Sequence, residues 1–510
     1  MTPSGNFMLK SLYTNKYIPN PGNIFLALTA LILLSELWGI SFTTGDDKFL
    51  AVARFKEGGI FTVAMNAAIA QSRFFDLLTY PLVQIPYHFE PFFALSIFRV
   101  LSNVLPFLAF YFMARQLFGS RVAKIASFIG LGIFESTGSF NPFHSLPLWF
   151  NTNAFLFMLS IGFYHRRLLQ RQSLILPSSL YFSSLLFYES FLLYFPVFIG
   201  IYWHVCCGNS KLFDIKNILV RAIKVNWSLL TAVIAYLLVY VAFRTYFFNP
   251  EQGGGGYSLS LAPLSEIIST IYKFSLGSIS LKIRLPAIGE ILSMAGLFSL
   301  ILVLGLSLVF WSTRNKTGAA LINSPLVWIV LIYSVVAPNI LYGLTARYRE
   351  WAIGDACYIG SYYSVYAIAL ILALAVTREI PSAKTIRDNW GIYVSVMAAL
   401  FCVATLNFNN TQSYFDQKRE DALRWPVMLA AIPALKQSNL ARLCSETFLT
   451  HPSDAHYWTY YLQGALNREM QVRLLPNFPQ HCDGFIEYKV ENSKRLIKIS
   501  SGKDIIFSTF

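Results

Sequence analysis

The sequence predicts an all-α polytopic membrane protein of about eleven transmembrane helices, followed by a small C-terminal α+β domain. Apolar residues make up 55% of the chain and charged residues only 13%, against about 25% charged in an ordinary globular domain. Aromatic residues reach 16%, which fits lipid-facing helices and interfacial belts. Apolar runs of about 20 residues recur along the chain, each long enough to cross a bilayer.

Short basic clusters between the apolar runs account for the net charge of +14. They form neither a stripe nor a basic tail, so the charge indicates cytoplasmic loops and not nucleic-acid binding. The first run, residues 24–42, lacks a small-residue cleavage site and is predicted to span. Further spans are predicted at residues 91–113, 124–136, 146–163, 226–248, 288–310, 322–342, 358–377 and 390–407.

Residues 173–205 are too long for one span and short for two. Basic clusters flank this run on both sides, and the positive-inside bias places both clusters in the cytoplasm. An even number of crossings is then required, so two short helices are predicted to meet near residues 187–190. The total becomes about eleven, with a cytoplasmic N-terminus and an extracytoplasmic C-terminus.

This topology divides the chain into a transmembrane domain, residues 1–407, and a tail, residues 408–510. Residues 43–90, 249–287 and 343–357 form the outer segments, and the four glycines at 253–256 predict a hinge or mobile cover in the second of them. Long loops on one face are where binding and catalysis usually lie.

A carboxylate pair, Asp46 and Asp47, follows the first span directly. Two acids at a membrane boundary suit a general base, or a site for a cation or an acidic donor. The alternative is a helix cap before Lys48, and one residue could do both. Arg73 follows later in the same loop, where it could bind hydroxyls or a phosphate, or lie on a solvated interfacial helix.

Inside the membrane, Glu36 and Arg99 lie at similar predicted depth. Intramembrane charges are costly, so the two are predicted to pair, with structural and substrate roles both open. Glu189 falls at the tip of the short hairpin, where it would face an outer cavity or lie on the surface.

Arg347, Tyr348 and Arg349 form a dense polar cluster on an outer segment. Arginines there oppose the positive-inside bias, and Arg suits bidentate binding of a phosphate. Lys273 and Lys282 are weaker candidates of the same kind, as is Arg284. Pairing with Glu350 and Asp355, or with lipid headgroups, is the alternative.

The tail begins with a predicted helix and ends in strand-like runs at residues 484–490, 495–500 and 504–509. Cys444 and Cys482 could form a disulfide if the tail is periplasmic. Aromatic residues such as Trp458, Tyr460 and Tyr461 motivate the hypothesis that the tail recognises an acceptor glycan. Nucleotide-binding motifs and Cys/His metal spacings are absent from the sequence.

The layout resembles the integral-membrane glycosyltransferases of the GT-C fold, which share the long first outer loop with an early acidic residue, the later mobile loop and the C-terminal periplasmic domain. It is most similar to the bacterial O-antigen glucosyltransferases of the Gtr serotype-conversion type. Asp46, Asp47 and Arg73 match their acidic pair and following arginine. Phe187, Tyr188 and Glu189 match a turn between short mid-chain helices, with Glu189 where Gln is expected.

The resemblance implies a polyprenyl-phosphate-linked sugar, a hexose such as glucose, as donor and a lipid-linked O-antigen or related surface glycan as acceptor, at the periplasmic face of the bacterial inner membrane. Asp46 or Asp47 would act as base, and Arg347 or Arg349, with Lys273 or Lys282, would hold the leaving phosphate. Members of the class differ in their use of a divalent cation, and the sequence leaves this open.

Two other functions remain as alternatives, an O-antigen or capsule polymerase and a transporter or flippase of lipid-linked glycans. Polymerases place their largest outer loop late in the chain, and many transporters show internal repeats. Neither feature is evident here.

Overall fold

In the computed structural model, the chain is a bundle of helices that ends in a small domain built on one sheet. The structure describes residues 20–40, 42–43, 45–52, 59–71, 74–88, 93–137, 141–207, 215–247, 260–277, 284–312, 324–353, 358–379, 390–445, 452–474, 482–491, 494–500 and 504–509. Gly253–Gly256, Arg73, Lys282 and Asp355 lie outside these residues.

The helices of the first half of the chain are α1 Pro21–Ser35, α2 Gly45–Val52, α3 Gly59–Gln71, α4 Asp76–Gln84, α5 Phe93–Ile133, α6 Phe150–Leu169, α7 Ile175–Phe187, α8 Phe195–Cys207, α9 Ile215–Val225 and α10 Trp227–Phe247. Those of the second half are α11 Leu264–Leu276, α12 Ile288–Ile291, α13 Met294–Ser312, α14 Pro325–Gly343, α15 Ala346–Ile353, α16 Tyr358–Glu379, α17 Trp390–Ala422, α18 Arg424–Gln437 and α19 Pro452–Leu466. Single 3₁₀ turns, Ile85–His88 and Glu189–Tyr194, follow α4 and α7.

Seven helices among the described residues are long and apolar enough to cross a membrane. One of them, α5, is interrupted at Gly119, whose φ of +87° is a left-handed conformation that glycine adopts without strain. The segments of α5 before and after Gly119 correspond to the two predicted spans, 91–113 and 124–136. Many of these helices carry exposed leucine, isoleucine and tryptophan, as expected for surfaces that face lipid.

The predicted hairpin in residues 173–205 is confirmed. Helices α7 and α8 meet through Tyr188 and the 3₁₀ turn Glu189–Tyr194. Some helix boundaries differ from the predictions. Helix α1 ends at Ser35 and continues as a turn, while α17 runs beyond the predicted span to Ala422 and carries the chain directly into the tail.

The tail has the predicted α+β fold. Its strands are β1 Arg442–Ser445, β2 Gln471–Leu474, β3 Gly484–Glu491, β4 Lys494–Ser500 and β5 Asp504–Thr509, in the sheet order β2-β1-β3-β4-β5. Strand β1 is parallel to β2 and β3, and the β1–β2 crossover contains α19, as parallel neighbours require. Cys444 and Cys482 form a disulfide, with their Cα atoms 5.8 Å apart.

Candidate functional site

The carboxylate of Asp47 is the centre of a buried polar cluster at the exit of α1. Both Asp46 and Asp47 lie in the first turn of α2, where a negative charge is favoured by the helix dipole. The Asp47 side chain is fully buried, and its Oδ2 accepts from the backbone N (3.0 Å) and Oγ1 (2.8 Å) of Thr43. Its Oδ1 accepts from the backbone N of Leu146 (3.1 Å) and from the hydroxyl of Tyr87.

Arg99 supplies the countercharge to Asp47, with 3.8 Å between its Nη2 and the Asp47 Oδ2 and no exposure of either side chain. Its Nη1 donates to the carbonyl of Ile40 at 2.9 Å. The predicted Glu36–Arg99 pair is wrong, since Glu36 pairs with Arg419 at 2.8 Å. Because α1 ends at Ser35, Glu36 lies in the turn that follows α1, where Arg419 of α17 reaches it.

A connection that the sequence analysis overlooked, residues 141–149, supplies the Leu146 contact. Span 4 was predicted to begin at residue 146, but α6 begins at Phe150, and Leu146 (φ +49°) and Leu148 (φ +71°) have left-handed backbones. Such conformations are costly for leucine and persist only where the surroundings fix them. The indole of Trp149 donates to the carbonyl of Phe187 at 2.9 Å. This connection therefore touches both the Asp47 cluster and the hairpin tip.

At the hairpin tip, three tyrosine hydroxyls from distant parts of the chain meet. The Tyr188 hydroxyl lies 3.1 Å from that of Tyr348 and accepts from that of Tyr342 at 3.0 Å. The Tyr188 ring packs edge-on against Phe150, the first residue of α6. Glu189, half-buried, follows at the start of the 3₁₀ turn. Tyr348, a predicted site residue, thus contacts the hairpin tip that carries Glu189. Tyr188 was predicted only as part of the turn, and Tyr342 was not predicted.

The two arginines of α15 have different surroundings. Arg349 is buried and holds the second outer segment: its Nε donates to Glu266 (2.9 Å) and its Nη2 to the hydroxyl of Ser260 (2.6 Å). Its Nη1 donates to the carbonyls of Ser260 and Gly343. Arg347 is half-buried and lies over the ring of Trp351, 5.7 Å from its centroid. Arg349 is committed to protein groups and is the more buried of the two arginines.

Two further basic candidates within the described residues also contact protein groups. Lys273 of α11 donates to the carbonyl of Ala352 at 2.7 Å, which ties α11 to α15. Arg284 binds both carboxylate oxygens of Glu290, at 2.8 and 2.6 Å. These bonds, with one from the backbone N of Ala287, lower the pKa of Glu290.

A cavity with mostly apolar walls lies beneath the hairpin, between α5, α6, α8, α14 and α16. Tyr366 lines it and donates to the Tyr362 hydroxyl at 3.2 Å, which in turn donates to Asn151 Oδ1 at 2.5 Å. Asn151 donates to Ser102 (3.1 Å), whose hydroxyl donates to the carbonyl of Arg99 (3.0 Å). A continuous hydrogen-bonded chain therefore joins the cavity wall to the helix turn that carries Arg99.

In the part of the chain that the structure describes, no group of three or more His, Cys, Asp or Glu side chains is placed to hold a metal ion. The Asp46 side chain lies outside the described residues. The donors around Asp47 in addition leave this carboxylate poorly suited to a cation, since they occupy both of its oxygens.

A scan against protein-family models finds no match, and a search of curated proteins finds none either. Among solved structures, the apo oligosaccharyltransferase of Archaeoglobus fulgidus is similar with a TM-score of 0.38 and 12% identity, over 93% of this chain and 66% of that one. ArnT from Cupriavidus metallidurans bound to undecaprenyl phosphate is similar with a TM-score of 0.35 and 15% identity, over 88% and 85%. This chain spans only about two thirds of the oligosaccharyltransferase. Likeness at this level assigns neither substrate nor mechanism.

Proposed function

We propose that this chain is an integral-membrane glycosyltransferase of the GT-C type, which transfers a sugar from a polyprenyl-phosphate-linked donor to a lipid-linked surface glycan. One observation carries the proposal: the carboxylate helix α2, the hairpin tip with Glu189 and the arginine helix α15 belong to one connected set of contacts. Residues 141–149 join α2 to the hairpin, and Tyr188 joins the hairpin to Tyr348 of α15. In this proposal, the same connected set of contacts carries the base on α2 and the arginine on α15 that binds the phosphate.

In the proposed reaction, the acceptor hydroxyl attacks the anomeric carbon of the donor sugar. The new bond forms as the bond from that carbon to the phosphate oxygen breaks, and the polyprenyl phosphate leaves with the electron pair. Asp46 takes the hydroxyl proton, since Asp47 is saturated with donors and serves to position the helix. Arg347 stabilises the negative charge that grows on the departing phosphate.

The apolar cavity supports a lipid-linked donor. Its walls carry phenylalanine, leucine, valine and isoleucine side chains, which suit an isoprenoid chain. Glu189 and the tyrosine hydroxyls at the tip provide acceptors and donors for sugar hydroxyls. The sugar is expected to be a hexose such as glucose, and the outer face is expected to be the periplasmic side of a bacterial inner membrane.

The test is a transfer assay with the full chain in lipid nanodiscs, using polyprenyl-phosphoglucose and related donors with an O-antigen acceptor. Asp46→Asn is expected to lower kcat by about 100-fold or more, as loss of a general base does. Arg347→Gln is expected to lower transfer by about 10-fold or more. Glu350→Gln, an exposed neighbour on α15, is the matched control and should retain activity.

Three outcomes would contradict the proposal. Full activity of the Asp46→Asn variant would show that Asp46 is not the general base. Extension of a lipid-linked glycan without a monosaccharide donor would identify a polymerase. Movement of lipid-linked glycan across the membrane without any bond formation would identify a flippase.

A further inference from the structure

The tail domain packs directly against the helix that carries Asp46 and Asp47, since α19 lies on α2. Helix α2, Gly45–Val52, has only eight residues. A helix of this length is not stable alone in water and depends on tertiary packing. The surface that α19 provides is therefore part of what keeps the carboxylate pair in place.

Phe42, which lies between α1 and α2, is the centre of the contact. Its buried ring packs edge-on against Trp425, with 5.4 Å between ring centroids, and is tilted against Tyr457 at 5.3 Å. On its other side it contacts Tyr87 at 6.2 Å, the tyrosine that donates to Asp47. An aromatic path thus runs from the tail to a hydrogen-bond donor of Asp47.

The tail aromatics are used for this packing. Trp425 contacts Trp458 at 4.3 Å and Tyr457 at 4.7 Å, and Tyr457 lies nearly parallel to Tyr461 at 5.9 Å. All four rings are buried. Stacking on a sugar needs an exposed ring face, so Trp458 and Tyr461 do not fit the acceptor-recognition hypothesis in this arrangement. Tyr460 is half-buried and is not excluded by its burial.

A second attachment holds the same stretch of chain. Arg419, near the end of α17, donates to the carbonyls of Glu36 (2.8 Å) and Trp38 (3.2 Å) in addition to the Glu36 carboxylate. Its Nη1 binds Asp416 at 2.6 Å, which fixes the guanidinium on its own helix. The chain between α1 and α2 is therefore held from the C-terminal part of the molecule at two separate points.

We infer that the C-terminal domain is a positioning element for the carboxylate helix, and that Trp425 and Phe42 are positioning residues for transfer. This inference rests on the proposed function. The tail then governs the rate of the chemical step through the orientation of α2, and not the choice of acceptor through sugar stacking. A displacement of about 1 Å in a reacting group can cost about 100-fold in rate.

The test compares Trp425→Ala with Trp425→Phe in the full chain in nanodiscs. Trp425→Ala should lower kcat by about 10- to 100-fold and leave the donor KM within about two-fold, because binding groups outside α2 are untouched. Trp425→Phe should restore most of the rate, since it keeps an aromatic ring against Phe42. A loss that appears only in the acceptor KM would overturn the positioning role.

Hydrogen exchange provides a readout that does not depend on transfer. Trp425→Ala should speed exchange in residues 45–52 by about 10-fold or more. Ile497→Ala is the matched control: Ile497 is fully buried in β4 of the same domain, so exchange should rise in the sheet and stay unchanged in residues 45–52. Unchanged exchange of residues 45–52 in a folded Trp425→Ala protein would overturn the inference.

Phe42→Leu tests the same contact from the membrane domain if Trp425→Ala does not fold. It leaves the tail aromatics intact and should also speed exchange in residues 45–52, and a Phe42→Leu protein with unchanged exchange there would overturn the inference. If the wild type transfers no sugar from any donor, the proposed function fails. The exchange comparison still decides whether the tail holds α2.

Discussion

At the residue scale, Asp47 accepts hydrogen bonds from the backbone and side chain of Thr43, from Leu146 and from Tyr87, and lies beside Arg99. A general base needs a lone pair that its substrate can reach, and a carboxylate in this setting offers none. Its neighbour Asp46 is therefore assigned the proton transfer. The two acids of one motif have separate roles in the proposed mechanism.

Asp47→Asn is expected to destabilise the fold. The amide would turn an NH₂ group toward existing donors and leave the buried Arg99 charge uncompensated, and breaking a buried ion pair costs about 3–5 kcal/mol. Thermal unfolding in detergent should show a lowered midpoint. Adding Arg99→Gln should recover part of the loss, whereas Asp46→Asn should keep the wild-type midpoint. An Asp47→Asn protein as stable as wild type would contradict this assignment.

The sequence located Asp47 but not its partners. Thr43 is close in sequence, yet Arg99 and Leu146 reach Asp47 only through the tertiary fold. The Leu146 contribution is a backbone N–H in a strained loop, for which side-chain patterns carry no signal. The equal predicted depth of Glu36 and Arg99 in the membrane suggested the wrong partner for Arg99. The first span was predicted to extend to residue 42, whereas α1 ends at Ser35.

At the scale of elements, hydropathy and charge predicted the helices well, including the hairpin of α7 and α8. They also placed a break between residues 113 and 124, where Gly119 interrupts α5, but could not locate the continuation of α17 into the tail. A polar helix that extends from a span looks, in sequence, like the start of a new domain.

Helix α15 leads to a prediction about the second outer segment. Arg349→Ala should loosen residues 260–276, because it removes the donors to Glu266 and Ser260 and leaves carbonyls unsatisfied, each at a cost of about 1–3 kcal/mol. Hydrogen exchange there should rise by about 10-fold or more.

Arg347→Ala is the comparison, since its contact with Trp351 is a cation–π interaction of about 0.5–1 kcal/mol. It should lower kcat for transfer without changing exchange in residues 260–276. If both variants loosened the segment equally, the separation of their roles would be wrong.

At the scale of the whole molecule, the Cys444–Cys482 bond reports on both the stability and the side of the tail. The bonded residues are 38 positions apart, and closing a loop of that length stabilises a fold by about 3–4 kcal/mol on the chain-entropy model. Cys444→Ser should therefore lower the unfolding midpoint of the tail. Cys402→Ser, a free cysteine in α17, is the control and should have little effect.

The same bond tests the predicted orientation. Disulfides persist in oxidising compartments such as the periplasm and are reduced in the cytosol. In membranes prepared from cells with alkylating reagent present throughout, Cys444 and Cys482 should resist labelling until a reductant is added. The labelling of Cys402 should not change with reductant. This control shows that the reductant acts by breaking the disulfide and not by exposing buried cysteines. Immediate labelling of both tail cysteines would place the tail in the cytoplasm. Because α2 packs against the tail, the proposed transfer and its acceptor would then have to be assigned to the cytoplasmic face.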